Sequence, residues 1–384
     1  MLNILLLIIG IGAISAELLG ISLWINAGKQ YKKEHTPSYS PKTCIIVPCK
    51  ETHAKFKENV LALCKQDYNN YEILFITDSY EDSAYKELKQ IVHNDQKIRI
   101  EIADFIEGCS GKIAALIKGI SLAGDVDVYV FADSDIKPHK QWLQNLVGYL
   151  HDKEIGATTG YRWYFAHNKK SYLVSTWNLA SVLPFFYSVF NYTWGGSTAI
   201  KKTVFDKLAI ADHWRKGYAD DLILTETLKK AGFKIKFVPK CLIEDSTGDD
   251  IYNFMKWGTR QFTWVRWYYP VEWLISFLRV VGVKILMLLG IVLLLFGYTL
   301  PGLLMISTFI LEMIYGWQAI TTVKKLTSYP KKRFGPSLAY TLLMPFALCI
   351  ISYNYIASAF TKEVNWSGRK YRKKDALQNK MTDA

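Results

Sequence analysis

Asp133 and Asp135 stand one residue apart at the end of Val128-Tyr129-Val130-Phe131-Ala132, an uncharged run of β-prone residues. Such a run reads as a buried strand. Ligands of an open α/β sheet collect at the carboxyl ends of its strands, so a D-x-D placed there aims two hard oxygen donors at the binding crevice. The pair suits Mg2+ or Mn2+ shared with substrate phosphates, because these ions take oxygen ligands and keep positions open for water or substrate. A polar surface turn is the competing assignment, since turns are rich in Asp.

Further residues share this chemistry. Pro48-Cys49-Lys50-Glu51 and Asp78 each follow an apolar run, so one rim of a sheet would gather carboxylates that repel unless a cation or an extended polar ligand separates them. Trp194-Gly195-Gly196-Ser197-Thr198-Ala199 sets two glycines before a short strand, which is either a close backbone approach to a ligand or a plain turn. Asp220 and Asp221 open a helical pattern that runs through Lys230, where one of them could serve as the helix cap. From Trp257 to Trp267, Arg260, Gln261 and Arg266 are interleaved with tryptophans, a pattern shared by membrane-interface belts and by ligand-binding segments. No G-x-G-x-x-G and no Walker lysine is present, which argues against a dinucleotide cofactor or an ATP cradle.

The elements that must position these groups alternate at α/β spacing between residues 35 and 265. Thr43 to Pro48, Glu72 to Thr77, Ile98 to Ala103 and Asp127 to Ala132 read as four strands, separated by helical patterns such as Lys55 to Lys65 and Ser83 to His93. Six cysteines (Cys44, Cys49, Cys64, Cys109, Cys241, Cys349) show no C-x-x-C and no zinc spacing, as expected of reduced thiols in a cytosol-facing domain.

Half of the 384 residues are hydrophobic, and the excess is concentrated. Ile4 to Ile25 is nearly all apolar, with Glu17 its one charge. Lys29, Lys32 and Lys33 follow that stretch, which favours an uncleaved anchor over a signal peptide, whose basic residues come first. Ile285 to Ile320 suits two short spans joined by a turn at Pro301-Gly302, and Val271 to Lys284 fits a helix lying in the interface. Pro336 to Phe360 carries no charge.

The net charge of +13 is clustered at Lys29 to Lys33, Lys324 to Arg333 and Arg369 to Lys374. Each cluster abuts an apolar block, so it marks cytosolic flanks and not a nucleic-acid footprint. Four full crossings would put the loop 321–335 and the C-terminus on opposite faces although both are basic. Either Pro336 to Phe360 is re-entrant around Pro345, or the number of spans differs from four by one. The expected organisation is an anchor over 1–27, a catalytic domain over 28–265, an interfacial helix over 266–284, a membrane region over 285–361 and a basic cytosolic tail over 362–384.

In this order, V-P, Asp78, Asp133-Ser134-Asp135, Asp220-Asp221 and an Arg/Trp segment leading into membrane helices resemble a family-2-type GT-A glycosyltransferase. More narrowly, the chain resembles the ceramide glucosyltransferases and their bacterial relatives, glycosyltransferase family 21. Gly111-Lys112-Ile113, Trp194 to Ala199 and Trp366-Ser367-Gly368-Arg369-Lys370-Tyr371 also fall where that family has similar segments.

The resemblance implies a Rossmann-like mixed α/β sheet flanked by helices, joined to membrane-spanning and interfacial helices, with the catalytic domain on the cytosolic face of a bacterial inner membrane. It implies a UDP-hexose donor held by Pro48, Glu51, Asp78, Lys112, Asp133, Arg260, Gln261 and Arg266. A Mn or Mg ion would sit on Asp133 and Asp135, Asp221 would act as base, and Arg260 would stabilise the diphosphate. The implied reaction is inverting transfer of a hexose, glucose first, to a lipid hydroxyl in the bilayer.

The chain departs from the family's R-x-x-R-W. Trp257 and Gln261 replace its first Arg and its Trp, and Thr263-x-x-Arg266-Trp267 offers a second register. Leu183-Pro184 stands where ceramide-using members carry His-Pro, which weakens ceramide as acceptor. The alternatives are a processive polysaccharide synthase, a polyprenyl-phosphate sugar transferase, and a membrane-anchored sugar-lipid binding scaffold without activity.

Overall fold

The computed structural model describes residues 1–32, 35–92, 95–245, 251–366 and 368–373. Lys33, His93, Ser367 and the tail from Lys374 onward, which figure in the expectations above, lie outside the described residues. Along the chain the elements are α1 (Leu2–Tyr31), β1 (Thr43–Cys49), α2 (Phe56–Cys64), β2 (Tyr71–Thr77), α3 (Ser83–Ile91), β3 (Ile98–Ile102), α4 (Gly111–Leu122), β4 (Val128–Ala132), β5 (Ile136–Lys137), α5 (Trp142–Gly148), β6 (Ile155–Trp163) and α6 (Lys169–Val182). They continue with β7 (Ser197–Lys201), α7 (Lys202–Lys207), α8 (Ile210–Trp214), α9 (Asp220–Lys230), β8 (Lys234–Asp245), α10 (Ile251–Tyr268), α11 (Pro270–Leu295), α12 (Thr299–Leu326), α13 (Ser337–Phe360), β9 (Glu363–Trp366) and β10 (Arg369–Arg372).

Two compact units result, one of His35–Trp163, Pro184–Thr247 and Asn365–Ala384, the other of Met1–Glu34, Tyr164–Leu183 and Gly248–Val364. The first holds the sheet, in the order β3-β2-β1-β4-β7-β6-β8-β5. Its β3-β2-β1-β4 half is parallel, with Ile46 opposite both Leu74 and Phe131. Parallel strands covered on both faces must be apolar throughout, and every residue of β4 is buried. Beyond β4 the sheet turns mixed, since β7 runs antiparallel to β4 and to β6 while β8 pairs parallel with β6. This is the mixed α/β, Rossmann-like sheet expected, and all four expected strands lie within a residue of their expected ends. One face is closed by Ile113, Leu116 and Ile117 of α4 with Phe205, Trp214 and Leu224.

In the second unit, α1, α11, α12 and a helical stretch ending with α13 are long and apolar enough to cross a membrane. Gly10 of α1 lies against Leu304 and Gly28 against Thr322, so α1 runs parallel to α12. Gly290 of α11 faces Gly302 and Met305, and Lys284 meets Glu312 at 2.5 Å, so α11 runs antiparallel to α12. That buried ion pair is completed by Lys284 donating to the Pro345 carbonyl at 3.1 Å. Buried charges between apolar helices persist when they are paired and hydrogen-bonded in this way.

Three membrane expectations are corrected. Residues 266–284 are not a separate interfacial helix but the end of α10 and the first half of α11. The break between the spans falls at Gly297, whose φ of 80° needs glycine, while Pro301 sits in the first turn of α12, where its missing N–H costs nothing. Finally, α13 runs unbroken through Pro345, so no re-entrant turn exists there.

Candidate active site

β4 ends at Ala132, and the chain then bends to present Asp133, whose N–H donates to the Gly196 carbonyl at 3.4 Å. Asp133 Oδ1 lies 2.7 Å from Lys112 Nζ, and the same ammonium reaches Asp220 Oδ2 at 3.5 Å. Lys112 occupies the first turn of α4, whose N-terminus is capped by Ser110 accepting from the Ile113 N–H. Burial works against its charge, but Asp133, Asp220 and Asp221 outweigh that and raise its pKa. Lys112 thus ties the D-x-D to the Asp220-Asp221 pair.

On the other side, Arg162 at the end of β6 donates to Asp245 Oδ2 at 2.9 Å and lies 4.0 Å from Asp133 Oδ2. Its guanidinium stacks on Trp194, with the central carbon 4.8 Å from the ring centroid, a cation–π contact that holds the planar group in place. Neither Arg162 nor Asp245 is signalled by a sequence motif. They lie 83 residues apart, each at the end of a strand. Arg162 is the one charge in β6, whereas Asp245 closes a strand that also carries Lys234, Lys236, Lys240 and Glu244, so nothing local sets it apart.

Gly195 and Gly196 form a turn, closed by the Ser197 N–H donating to the Trp194 carbonyl at 2.9 Å. A Cβ on Gly195 would collide with Asp220 Oδ2 and sit 2.7 Å from Lys112 Nζ, and one on Gly196 would collide with the Trp194 ring and sit 2.7 Å from Asp133 Oδ2. Both glycines let the backbone pass beside the charged atoms.

Asp220 and Asp221 open α9, as expected, yet neither caps it. Ala219 is the cap residue and makes no side-chain cap bond. Asp221 Oδ1 accepts from the Leu222 N–H at 2.8 Å. Burial, then the Asp220 charge, pushes the Asp221 carboxyl up to about 7, against the pull of Lys112 and of the Leu222 and Gly195 N–H groups. Burial also raises Asp220.

Asp135 is likewise pushed up to about 7, by burial and then by Asp245 and Asp133. Its Oδ1 is buried and has no hydrogen-bond partner among the described residues. Among the described residues no group of three or more His, Cys, Asp or Glu forms a metal cage by itself. An orphaned carboxylate oxygen beside a second carboxylate is what a hard divalent cation satisfies when phosphate oxygens and water complete its shell. The donor set therefore fits a Mg2+ or Mn2+ ion shared with a phosphorylated ligand.

Pro48, Glu51 and Asp78 cluster at the ends of β1 and β2, where Asp78 pairs with Lys50 at 2.9 Å. Glu51 takes a φ of 57°, and its N–H donates to Asp82 at 3.0 Å. A non-glycine residue held in that region stores strain of the kind found at binding sites.

Arg260, Gln261 and Arg266 belong to the helical unit, on α10. At 100° per residue, Arg260 and Arg266 are about 240° apart around the helix and face different ways. Arg266 donates to the carbonyls of Ala359 and Thr361 and closes the C-terminus of α13, a cap for carbonyls left free at a helix end. Arg260 and Gln261 are half-buried.

The sequence profile of glycosyl transferase family 21 matches residues 4–376. No curated protein sequence matches the chain. Among solved structures, a mannosyltransferase from Pyrobaculum calidifontis in complex with GDP-Man and Mn2+ is 17% identical, with 92% of this chain and 97% of that chain covered and a TM-score of 0.49. A glucosyl-3-phosphoglycerate synthase from Mycobacterium tuberculosis, in complex with Mn2+, UDP and glucosyl-3-phosphoglycerate, is 16% identical over 57% of this chain and 79% of that chain, with a TM-score of 0.38.

Proposed function

The chain belongs to glycosyltransferase family 21, and on that premise we propose that it transfers a hexose, glucose first, from a UDP-sugar to a lipid hydroxyl, with inversion. The observation that carries this is Asp221, a carboxylate pushed up to about 7 in the same charged lattice as the D-x-D. A group with that pKa accepts a proton near neutral pH and contributes about 10²- to 10⁴-fold as general base.

In this account Asp221 takes the proton of the acceptor hydroxyl as its oxygen bonds to the sugar carbon and the bond to UDP breaks. A single base and a single displacement turn an α-linked donor into a β-glycoside. Negative charge then grows on the leaving diphosphate. Lys112 and Arg162, both beside Asp133, are the fixed positive charges at hand, and preorganised charge in a dry site is worth far more than in water. Asp133 and Asp135 would hold a divalent cation, which when bound supplies positive charge against the leaving group.

Asp78, with Pro48 and Glu51, takes the uridine end, and Arg260 with Gln261 adds to the diphosphate contacts. The Arg266 guanidinium is committed to the end of α13, which favours Arg260 over Arg266. The membrane helices bring the acceptor lipid, and the basic clusters beside them favour a cytosolic catalytic face.

The test is donor binding. Purified protein in detergent with Mn2+ should bind UDP more tightly than GDP, and Asp221→Asn should leave UDP binding within about twofold of wild type while removing transfer, as loss of a base acting only in the chemical step requires. Preference for GDP would overturn the uridine assignment, and retained turnover in the variant would remove Asp221 from its role.

A further inference from the structure

We propose that α13 does not cross the membrane but lies in its plane, with one face on the protein and the other in the hydrocarbon of the leaflet next to the α/β unit. Both ends of α13 are tied to that side, the first by packing and the second by the covalent chain. Before it, Tyr329, Arg333 and Phe334 pack on Phe165, with ring centroids at 4.9 Å for Tyr329 and 5.1 Å for Phe334 and the Arg333 guanidinium 4.6 Å from the ring. Phe165 is the second residue after Trp163, which ends β6, so at most about 7 Å of chain separates the two.

After α13, five residues lead from Phe360 to Asn365, a reach of about 18 Å when extended and short of the roughly 30 Å hydrocarbon core. The tail that follows belongs to the α/β unit. There Tyr371 stacks on Tyr218 at 4.8 Å, and the Arg369 guanidinium lies 5.9 Å from the Phe105 ring.

The packing along α13 has the same sense. Ser175 of α6 bonds Tyr340 at 2.9 Å, and Trp177 donates to Asn354 at 3.0 Å. Asn354 donates to the Met255 carbonyl of α10 at 2.9 Å, and Trp273 at the start of α11 donates to Ser358 at 3.1 Å. α6 leaves the α/β unit after Trp163 and rejoins it at Pro184, so it too stays on that side. A helix that crossed would have to leave these partners behind.

The opposite face of α13 is a stripe of exposed side chains at a spacing of three and four, Leu338, Leu342, Phe346, Cys349, Tyr353, Ile356 and Phe360, all apolar or nearly so. No charged residue interrupts Ser337–Phe360. Exposed apolar side chains also stand along α1, α11 and α12. Lys331, Lys332 and Arg333 precede the helix, and Arg369, Lys370 and Arg372 follow it. An apolar face between two basic ends fits acyl chains below and anionic head groups at the rim. The lipid acceptor would then be met by a helix lying in its own leaflet.

The test uses the full-length chain in membrane vesicles, in a Cys349→Ser background, with a membrane-impermeant maleimide. Lys332→Cys and Lys370→Cys should both label from the face that labels Lys153→Cys in the α/β unit, and Thr299→Cys, at the turn between α11 and α12, only from the other. Labelling of the Lys332 and Lys370 positions from opposite faces would overturn the proposal. In vesicles carrying brominated acyl chains, a dansyl maleimide on natural Cys349, exposed on α13, should be quenched at least about twofold. An unquenched probe, or a Cys349–Cys349 cross-link formed by copper phenanthroline, would assign the stripe to a second copy and refute the lipid.

Discussion

Asp221→Asn separates catalysis from stability in one substitution. The folded protein holds the Asp221 proton up to about 7, well above the usual value of an aspartate, 3.8. Across the interval between these values the folded state binds more protons than the unfolded chain, so stability is fully present at low pH and falls as pH rises to the folded value. A rise of that size places the cost of ionising Asp221 in the fold on the order of 4 kcal/mol above pH 7. Asn keeps the shape and carries no charge. Its stabilising effect should therefore grow by on the order of 2 kcal/mol between about pH 5 and about pH 8, most of the slope expected of one such group. The assay is thermal unfolding in detergent, wild type against variant, at both pH values. Transfer in the variant should drop by about 10²-fold or more, while wild-type turnover should rise with pH toward a plateau just above neutrality as the base loses its proton. A variant whose advantage is the same at both pH values would refute the buried, proton-holding environment assigned to Asp221.

Asp135→Ala should abolish the Mn2+ dependence of UDP binding measured by calorimetry, and unchanged metal dependence would point away from the D-x-D. Arg162→Met removes the guanidinium that lies 2.9 Å from Asp245, whose side chain is fully buried, and should lower stability by about 3 to 5 kcal/mol. Full stability in that variant would show that Asp245 finds another partner. Gly195→Ala forces a methyl group against Asp220 and Lys112, so transfer should fall about 10²-fold, as misplacement of reacting groups by an ångström does, while the elution volume in size exclusion is kept. Wild-type activity there would mean that the loop yields freely.

The strand carrying the D-x-D was legible because a local rule governs it: a fully buried parallel strand must be apolar, and its end is where polarity returns. β1 and β2 follow the same rule, whereas β3, Ile-Arg-Ile-Glu-Ile, is half-buried and shows the alternation of an outer strand. Asp220 and Asp221 were legible as a helix start but not as partners of Lys112, which lies more than a hundred residues earlier and meets Asp220 only after the sheet is assembled. Arg162 and Asp245 went unseen for the same reason, since their pairing is long-range and no local pattern announces it. For α13, hydropathy reports composition, and an uncharged helix packed on α6 and α10 by one face has the composition of a span. The basic segments at both its ends held the contrary signal. The bend between α11 and α12 falls at Gly297 and not at Pro301-Gly302, because a helix accepts proline in its first turn although proline reads as a breaker in a sequence.

The central claim is a single inverting transfer of one sugar to a lipid at Asp221. Its most direct test is mass spectrometry of the lipid products formed by the purified protein, supplied with UDP-glucose, Mn2+ and extracted membrane lipids, followed by digestion with α- and β-glucosidases. One added hexose on a lipid, removed by the β-specific enzyme and absent with Asp221→Asn, is the predicted result. A polymer, an α-linked product, or the same product from the Asp221→Asn variant would contradict it.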